Sequence, residues 1–280
     1  MTKVKGIDIS EWNGTLNFTS LKNNNGIEFV IIRCGYGTTI DDKFIENVKG
    51  CESAGLPYGL YHFCYATTLK EVQEEEEYVK GLISKYCTKK PFVVCLDFEG
   101  DTVKKAAAKG VTIGKTEFNA WQQHWCKYFT ALGYKTPVYL NYSYYKNWYN
   151  SSMLGSYGLW CAYYQNECFA DYAVWQQSST YKINGKNFDL DYSTSEYING
   201  GEPATDNNVA KGMQTYKNGS TIEYVYSTTA LTEKIGSLNA NESCYCFGRA
   251  DGAYLVCYKV DGTANEWKCG YVEYNGCTTF

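Results

Sequence analysis

Two carboxylates, Asp97 and Glu99, stand at the end of an apolar run with the length of a buried strand. Residues i and i+2 of a strand point to the same side, about 6.6 Å apart along the chain. Carboxyl groups this close in an apolar setting push their pKa values apart, so that one can stay protonated as a general acid. The spacing therefore predicts acid–base chemistry at a strand end. A structural alternative, in which both carboxylates cap a following helix, stays open at this point.

Polar and aromatic residues also end the other predicted strands, and they favour the catalytic interpretation. Asp8 ends the first strand and Asp189 ends the last. A purely structural barrel would not need acids on three separate strands, so these two join Asp97 and Glu99 in the predicted catalytic set. The residues predicted to bind substrate on the same strands are Arg33, Tyr61, Tyr139, Asn141, Trp160, Tyr163, Trp175 and Gln176.

A metal site is a competing use of the four carboxylates, because divalent cations take oxygen ligands. The chain has two histidines, and they do not form a His-x-His pair. His124 falls within a predicted helix, which favours a structural role. No phosphate-binding loop, dinucleotide fingerprint or Gly-x-Ser-x-Gly elbow is present. The sequence therefore predicts neither a metal ion nor a cofactor.

Strands and helices alternate over the first 200 residues. Their near-continuous apolar runs are typical of strands buried on both faces, as in a parallel sheet. Apolar stripes at helical spacing lie between several of them, and Thr68 with Glu71 forms a capping box. The acidic run 74–77 is interpreted as the solvated face of that helix. This alternation predicts an α/β fold, a modified (β/α) TIM-like barrel. The predicted strands are 5–9, 29–33, 59–63, 91–98, 137–140, 159–162, 173–175 and 187–189.

The composition and the apolar pattern of the sequence change after residue 200. A polar, turn-forming stretch predicts a linker at 201–208, between a catalytic domain at 1–200 and a second domain at 209–280. Beyond the linker, short apolar runs alternate with turn pairs, which predicts a small all-β domain. The turn pairs are Asn218-Gly219, Asp251-Gly252, Asp261-Gly262 and Asn275-Gly276.

The composition of the 280-residue chain indicates which classes of binding partner to expect. A net charge of −4 argues against nucleic acid, because phosphate binding needs a basic face. The longest apolar runs have the length of strands, so no membrane insertion is expected. The 13 cysteines are scattered and odd in number, which favours reduced thiols packed as small apolar groups. The 28 Tyr and 7 Trp include more rings than a core requires, and such rings suit sugar binding.

Six motifs in order resemble the glycoside hydrolase family 25 muramidases over about residues 4–198. Two departures concern fine specificity: Arg33-Cys34-Gly35-Tyr36-Gly37 replaces a common family pattern, and Gln177 follows Trp175-Gln176 where the family has Tyr. The motifs are Gly6-Ile7-Asp8-Ile9-Ser10, Tyr58-Gly59-Leu60-Tyr61-His62-Phe63, Leu96-Asp97-Phe98-Glu99, Leu159-Trp160-Cys161-Ala162-Tyr163-Tyr164, Val174-Trp175-Gln176-Gln177-Ser178-Ser179 and Phe188-Asp189-Leu190-Asp191.

The resemblance implies a modified β/α barrel that cleaves the β-1,4 bond between N-acetylmuramic acid and N-acetylglucosamine in bacterial peptidoglycan. It implies that Glu99 is the acid, with Asp97, Asp8 and Asp189 around it. Segments from Tyr224 to Val272 resemble, less specifically, bacterial SH3-like wall-binding modules.

Two alternatives to a muramidase stay open, a chitinase-like hydrolase and a non-catalytic wall-binding lectin. Chitinases carry a further Asp two positions before Asp97, where this chain has Cys95, and a lectin would not need Glu99. The N-terminus lacks the pattern of a secretory signal. We therefore expect a phage or prophage endolysin, made in the host cytoplasm and acting on the wall after release. The sequence leaves the oligomeric state open.

Overall fold

A computed structural model describes residues 2–199, 214–250, 253–260 and 267–273 of the chain. The chain divides into two compact units, residues 1–203 and 204–280. The predicted linker at 201–208 lies outside the described residues, as do three of the four predicted turn pairs.

The first unit is built from nine strands and eight α-helices among its described residues. The strands are β1 (Lys3–Ile9), β2 (Phe29–Tyr36), β3 (Thr39–Ile40), β4 (Tyr58–Phe63), β5 (Val94–Asp97), β6 (Val138–Asn141), β7 (Leu159–Ala162), β8 (Val174–Ile183) and β9 (Lys186–Thr194). The helices are α1 (Phe18–Asn25), α2 (Phe44–Ala54), α3 (Leu69–Tyr86), α4 (Gly100–Ala108), α5 (Lys115–Ala131), α6 (Tyr142–Asn147), α7 (Ser151–Leu154) and α8 (Ser195–Asn199).

Eight of these strands form one nearly closed sheet in the order β5-β4-β2-β1-β9-β8-β7-β6. Neighbouring strands are parallel except β9, which runs antiparallel to both β1 and β8. The ends of the sheet meet where Val93 pairs with Lys135, and the Val94 N–H donates to the Lys135 carbonyl at 2.9 Å. The predicted α/β barrel is confirmed, and the antiparallel β9 is its departure from a regular (β/α)8 barrel.

Side chains on alternate positions of each strand point into the barrel or out towards the helices. Inward residues such as Phe29 and Trp160 form a separate buried cluster inside the barrel. A Cβ on Gly6 would lie 2.4 Å from the Phe29 ring, so only glycine leaves room for that ring. Because the interior below is packed, the described residues leave room for a site at the end of the barrel where the parallel strands have their carboxyl ends.

Helix α3 covers the outer face and corrects one prediction. Only Glu74 and Glu77 of the acidic run are exposed, whereas Glu75 and Glu76 are 3% and 1% exposed. Glu75 Oε2 lies 3.2 Å from His62 Nε2, and Glu76 Oε1 lies 2.8 Å from His124 Nδ1. Four consecutive residues span more than one turn of a helix, so half of the run necessarily faces inward.

The second unit is all-β in its described part, as predicted. Its strands form one antiparallel sheet in the order β10-β13-β14-β15-β11-β12, around a core that includes Tyr216, Val225 and Val256. No helix among the described residues of either unit is long and apolar enough to cross a membrane. The strands are β10 (Gln214–Lys217), β11 (Glu223–Tyr226), β12 (Lys234–Leu238), β13 (Ser243–Ala250), β14 (Ala253–Lys259) and β15 (Trp267–Glu273).

Candidate active site

A cavity of about 350 Å³ opens at the carboxyl ends of the parallel barrel strands and at the amino half of the antiparallel β9. Asp189 therefore lies near the start of β9 and not at the strand end predicted for it. Nine of the twelve predicted site residues line it, and the strand register places them on the inward face. The nine are Asp8, Arg33, Tyr61, Asp97, Glu99, Tyr139, Trp160, Gln176 and Asp189.

Three predicted substrate-binding residues do not line this cavity. Asn141 is the N-cap of α6, where its Oδ1 accepts from the Tyr144 N–H at 3.0 Å. Trp175 is 4% exposed, belongs to the core outside the barrel and donates from Nε1 to the Tyr163 carbonyl at 2.8 Å. The Tyr163 ring packs against neighbouring aromatic rings. Trp175 points outward because Gln176, the next residue along the strand, points in.

Asp97 and Glu99 meet at the end of β5. Asp97 is 7% exposed, and its Oδ1 has no hydrogen-bond partner among the described residues. Burial raises the pKa of Asp97 well above its usual value, the Glu99 charge raises it further, and Arg33 opposes both. Burial also raises the pKa of Glu99, while a hydrogen bond with Tyr139 lowers it. Two neighbouring acids whose pKa values are both raised can hold and exchange a proton.

Glu99 also begins helix α4, so the structural alternative is partly realised. It is the N-cap residue, and its N–H donates to Thr102 Oγ1 at 3.1 Å. The helix start fixes the backbone of Glu99 and so positions its carboxyl group at the cavity wall.

A second group of acidic residues, Asp8, Asp189 and Asp191, lies on β1 and β9. Asp8 and Asp189 face each other across these strands, and Asp191 is one inward position further along β9. Burial raises the pKa of Asp189 to about 6 and that of Asp191 to about 7. Burial and both neighbouring acids raise the pKa of Asp8 well above its usual value. Because Asp8, Asp189 and Asp191 repel one another when ionised, a proton on one of these carboxyls stabilises the charge of its neighbours.

Asp191 was missed as a site residue, although the i, i+2 rule applied to Asp97 and Glu99 also pairs it with Asp189. It is fully buried, and its Oδ1 accepts from Trp160 Nε1 at 2.9 Å. It is absent from the cavity lining and lies beneath it.

Gln176 links the second carboxylate group to the cavity wall. Its Nε2 donates to Asp8 Oδ2 at 2.7 Å, and its Oε1 accepts from Tyr164 at 3.0 Å and from Tyr139 at 3.4 Å. Tyr164 is half-exposed, lines the cavity and was quoted in a motif but not predicted as a site residue.

The cavity mouth carries an aromatic residue that sequence reasoning also missed. Trp12 lines the cavity and is 82% exposed. It belongs to a 3-10 turn (Glu11–Asn13), which Ser10 caps by accepting from the Trp12 N–H at 3.3 Å. Arg33 supports this side of the cavity, because it pairs with Glu11 and Asp41, each at 2.7 Å. At the edge of the cavity, the exposed indole offers a flat apolar face to a bound ligand.

The arrangement suits proton transfer to a bound substrate. It holds several acids with raised pKa values, one cationic side chain and exposed rings at the mouth. Among the described residues, no three His, Cys, Asp or Glu side chains are arranged to hold a metal ion.

Fold and site together define an α/β barrel with a cluster of carboxylates in a cavity at one end. The model of glycosyl hydrolases family 25 matches residues 7–186, and the chain belongs to that family. Lysozyme M1 of Streptomyces globisporus is 41% identical over 61 residues, which cover 21% of this chain and 20% of that protein. The autolytic lysozyme of Clostridium acetobutylicum is 28% identical over 211 residues, which cover 72% of this chain and 60% of that protein.

A solved structure agrees with the fold. The catalytic domain of endolysin ply40, from bacteriophage P40 of Listeria monocytogenes, superposes with a TM-score of 0.60 at 23% identity. The match covers 71% of this chain and 97% of that domain. The chain therefore spans most of a solved catalytic domain but only a fifth and three fifths of the two curated relatives.

Proposed function

We propose that this protein is an N-acetylmuramidase that hydrolyses the β-1,4 bond between N-acetylmuramic acid and N-acetylglucosamine in bacterial peptidoglycan. The observation that carries the proposal is the pair Asp97 and Glu99, both with raised pKa values, in the cavity of a family 25 barrel. The names of the two curated relatives, both lysozymes, support the substrate class.

Glu99 acts as the general acid and donates its proton to the glycosidic oxygen as the bond to the muramic acid C1 breaks. The unpartnered Asp97 Oδ1 fits the N–H of the substrate's N-acetyl group. That hydrogen bond stabilises ionised Asp97 and favours the shared proton on Glu99. It also orients the acetamido oxygen to attack C1 from the opposite face, as substrate-assisted glycosidases do.

The second step returns the enzyme to its starting state. Glu99, now a carboxylate, takes a proton from a water molecule that attacks C1 and opens the cyclic intermediate. Two displacements at C1 retain the anomeric configuration. Asp8 or Asp189 is the alternative nucleophile, and direct attack by either also gives retention.

The described lining supplies the glycan contacts of this proposal. The cavity wall is lined by Tyr61, Tyr139, Trp160 and Gln176. The positive charge of Arg33 acts on Asp97. At the mouth, Trp12 and Tyr164 expose their aromatic rings. Aromatic faces bind the apolar faces of sugars.

Assay of purified cell walls tests the proposal. A muramidase clears a wall suspension and creates new reducing ends on muramic acid. New reducing ends on N-acetylglucosamine, cleavage of chitin alone, or binding without release of fragments would each contradict it. Reducing-end analysis by borohydride labelling distinguishes these outcomes.

We propose in addition that the second unit, predicted at 209–280, is an SH3-like wall-binding domain. We also propose that the protein is a phage or prophage endolysin, made in the host cytoplasm and acting on the wall after its release from there. The support is the all-β sheet together with the resemblance of its segments to such modules. A tethered wall-binding domain raises the effective concentration of enzyme at the wall without changing the chemistry.

A chain ending at Glu202 tests the wall-binding role. We expect it to cleave soluble glycan fragments at the full rate and to clear intact cells more slowly. Pull-down of the isolated 204–280 segment with purified walls is the companion measurement. Equal clearing of cells by both chains would contradict the targeting role.

A further inference from the structure

The second unit has a cavity of its own, of about 200 Å³. Its wall is formed by β12, by the end of β14 and by the start of β15. None of the residues that line it takes part in the proposed hydrolysis, and none was predicted from the sequence to bind a ligand. The cavity is therefore a second place at which this protein can hold a molecule.

A buried hydroxyl without a hydrogen-bond partner lies in the wall of this cavity. Tyr258 is 4% exposed, and its hydroxyl has no partner among the described residues. A Cβ on Gly236 would come within 1.8 Å of that hydroxyl, so the hydroxyl lies against the glycine on the β12 side of the cavity. Because an unpaired buried hydroxyl is costly, its position at the cavity indicates that a bound group completes its hydrogen bonding.

Two lysines make this cavity cationic. Lys268 is the cross-strand partner of Tyr258 in the ladder of β14 and β15, and Lys259 follows Tyr258 along β14. Both lysines line the cavity. Glu242, the one acid in the described lining, already accepts a hydrogen bond from the Asn239 N–H at 2.6 Å. Two ammonium groups and a hydroxyl suit an anionic group that accepts hydrogen bonds.

The position of the cavity along β12 favours a peptide as the carrier of that anionic group. Among the described strands, β12 pairs with β11 alone, so its other side offers backbone groups to an extended chain. Ile235 and Val260 add apolar side chains to the lining, which suit a small apolar side chain of the ligand. The cavity is smaller than the roughly 300–1,000 Å³ of sites that enclose a whole small molecule, which favours the end of a chain over its middle.

We propose that this cavity binds the C-terminal carboxylate of a short peptide whose chain runs along β12. The carboxylate accepts hydrogen bonds from the Tyr258 hydroxyl and from the ammonium groups of Lys259 and Lys268. The inference rests on the proposed wall-binding role of the second unit, since the peptides carried by peptidoglycan end in such carboxylates. It assigns that role to one cavity and one chemical group.

Acetyl-dialanine tests the carboxylate on the full chain, and its C-terminal amide is the matched control ligand. We expect the free acid to bind, as measured by isothermal titration calorimetry. The amide should bind on the order of 10-fold more weakly, because it lacks the charge that the lysines recognise. Glycerol phosphate is the third ligand, because a phosphate-containing wall polymer is the competing source of an anion. Tighter binding of glycerol phosphate than of the free acid would overturn the assignment to a peptide.

Tyr258→Phe tests the hydroxyl and keeps the ring in the core. We expect this variant and Lys268→Gln each to weaken binding of the free acid on the order of 10-fold. The melting temperature of Tyr258→Phe should not fall, because the hydroxyl has no partner to lose among the described residues. Lys217→Gln is the control variant, because Lys217 is an exposed lysine of the same sheet that does not line the cavity.

Three results would overturn the proposal. They are no binding of the free acid, equal affinity for acid and amide, and undiminished acid binding by both Tyr258→Phe and Lys268→Gln. The last would mean that an ordered water molecule is enough to pair the tyrosine hydroxyl. Pull-down of the full chain with purified walls separates these results from failure of the wall-binding role. If wild type and both variants bind walls equally, the role stands and this cavity does not supply it, whereas a wild type that does not bind walls contradicts the role itself.

Discussion

Two groups of acidic residues lie at or beneath the cavity, and their surroundings differ. The first group is Asp97 and Glu99, and the second group is Asp8, Asp189 and Asp191. On β5, Asp97 and Glu99 line the cavity, and Asp97 has an oxygen without a hydrogen-bond partner among the described residues. On β1 and β9, Asp8 accepts a hydrogen bond from Gln176, and Asp191 accepts one from Trp160. Burial raises the pKa in both groups. Both acids of the first group line the cavity, which suits them to reaction, whereas Asp191 of the second group is fully buried outside the cavity lining, which suits it to support.

Replacing the acid of the first group gives the largest expected effect. Glu99→Gln preserves shape but removes the transferable proton, so we expect a loss of about 10²–10⁴-fold in wall hydrolysis. Asp101→Asn is a matched control, because Asp101 is an exposed carboxylate two positions further along the chain and pairs with Lys104. Turbidity clearing measures both, and circular dichroism checks the fold. A Glu99→Gln rate within a few-fold of wild type would exclude Glu99 as the acid.

The partner of Glu99 should show a smaller loss of a different kind. Asp97→Asn removes the charge that orients and stabilises the reacting acetamido group, and we expect kcat to fall about 10²–10³-fold. KM should change little, because the amide oxygen of Asn still accepts a hydrogen bond. Initial-rate kinetics on soluble glycan fragments separate kcat from KM.

The stereochemistry of the wild-type reaction tests the same pair. We expect the first product to keep the β configuration, observed by proton NMR before the anomers equilibrate. An initial α product would refute both the acetamido and the direct carboxylate mechanism.

The second group should control stability as a function of pH. Asp189 and Asp191 have pKa values of about 6 and 7 when folded, above the usual 3.8. The folded state therefore binds more protons than the unfolded state at mildly acidic pH. Their contribution to stability is complete below about pH 4 and is lost as the pH rises towards 7, at most about 1.4 kcal/mol per pH unit for each group.

Asp191→Asn tests this support role. We expect the melting temperature of the wild type to fall between pH 5 and pH 7.5 and the variant to show a shallower fall. Asp171→Asn, at an exposed position, is the control. If the melting temperatures of wild type and Asp191→Asn fell in parallel with pH, the second group would not be the source of the pH dependence. Loss of activity as large as that of Glu99→Gln would place Asp191 in the reaction itself.

The sequence predicted the first group better than the second. Asp97 and Glu99 end an apolar run, and their spacing alone gives a shared direction. The pairing of Asp8 with Asp189 depends on β9 entering the barrel antiparallel, which apolar patterning does not encode. Trp175 was predicted to bind substrate, but side chains alternate along β8, and Trp175 occupies a position that faces the helices. The burial of Glu75 and Glu76 depends on His62 and His124, which are distant in sequence.

Trp12 belongs to neither group of acidic residues, so its replacement shows the effect of losing a substrate contact without changing an acid. Its indole is 82% exposed at the cavity mouth, so its removal should leave the proton chemistry intact. Stacking of a ring on an apolar face is worth about 0.5–1.5 kcal/mol, so Trp12→Ala should raise KM roughly 2–10-fold with kcat nearly unchanged. Trp12→Phe should recover most of the affinity, because it restores an aromatic face. The effect should appear with long glycan fragments and vanish with the shortest cleavable ones. A fall in kcat on short fragments would mean that the mouth and the carboxylates do not act separately.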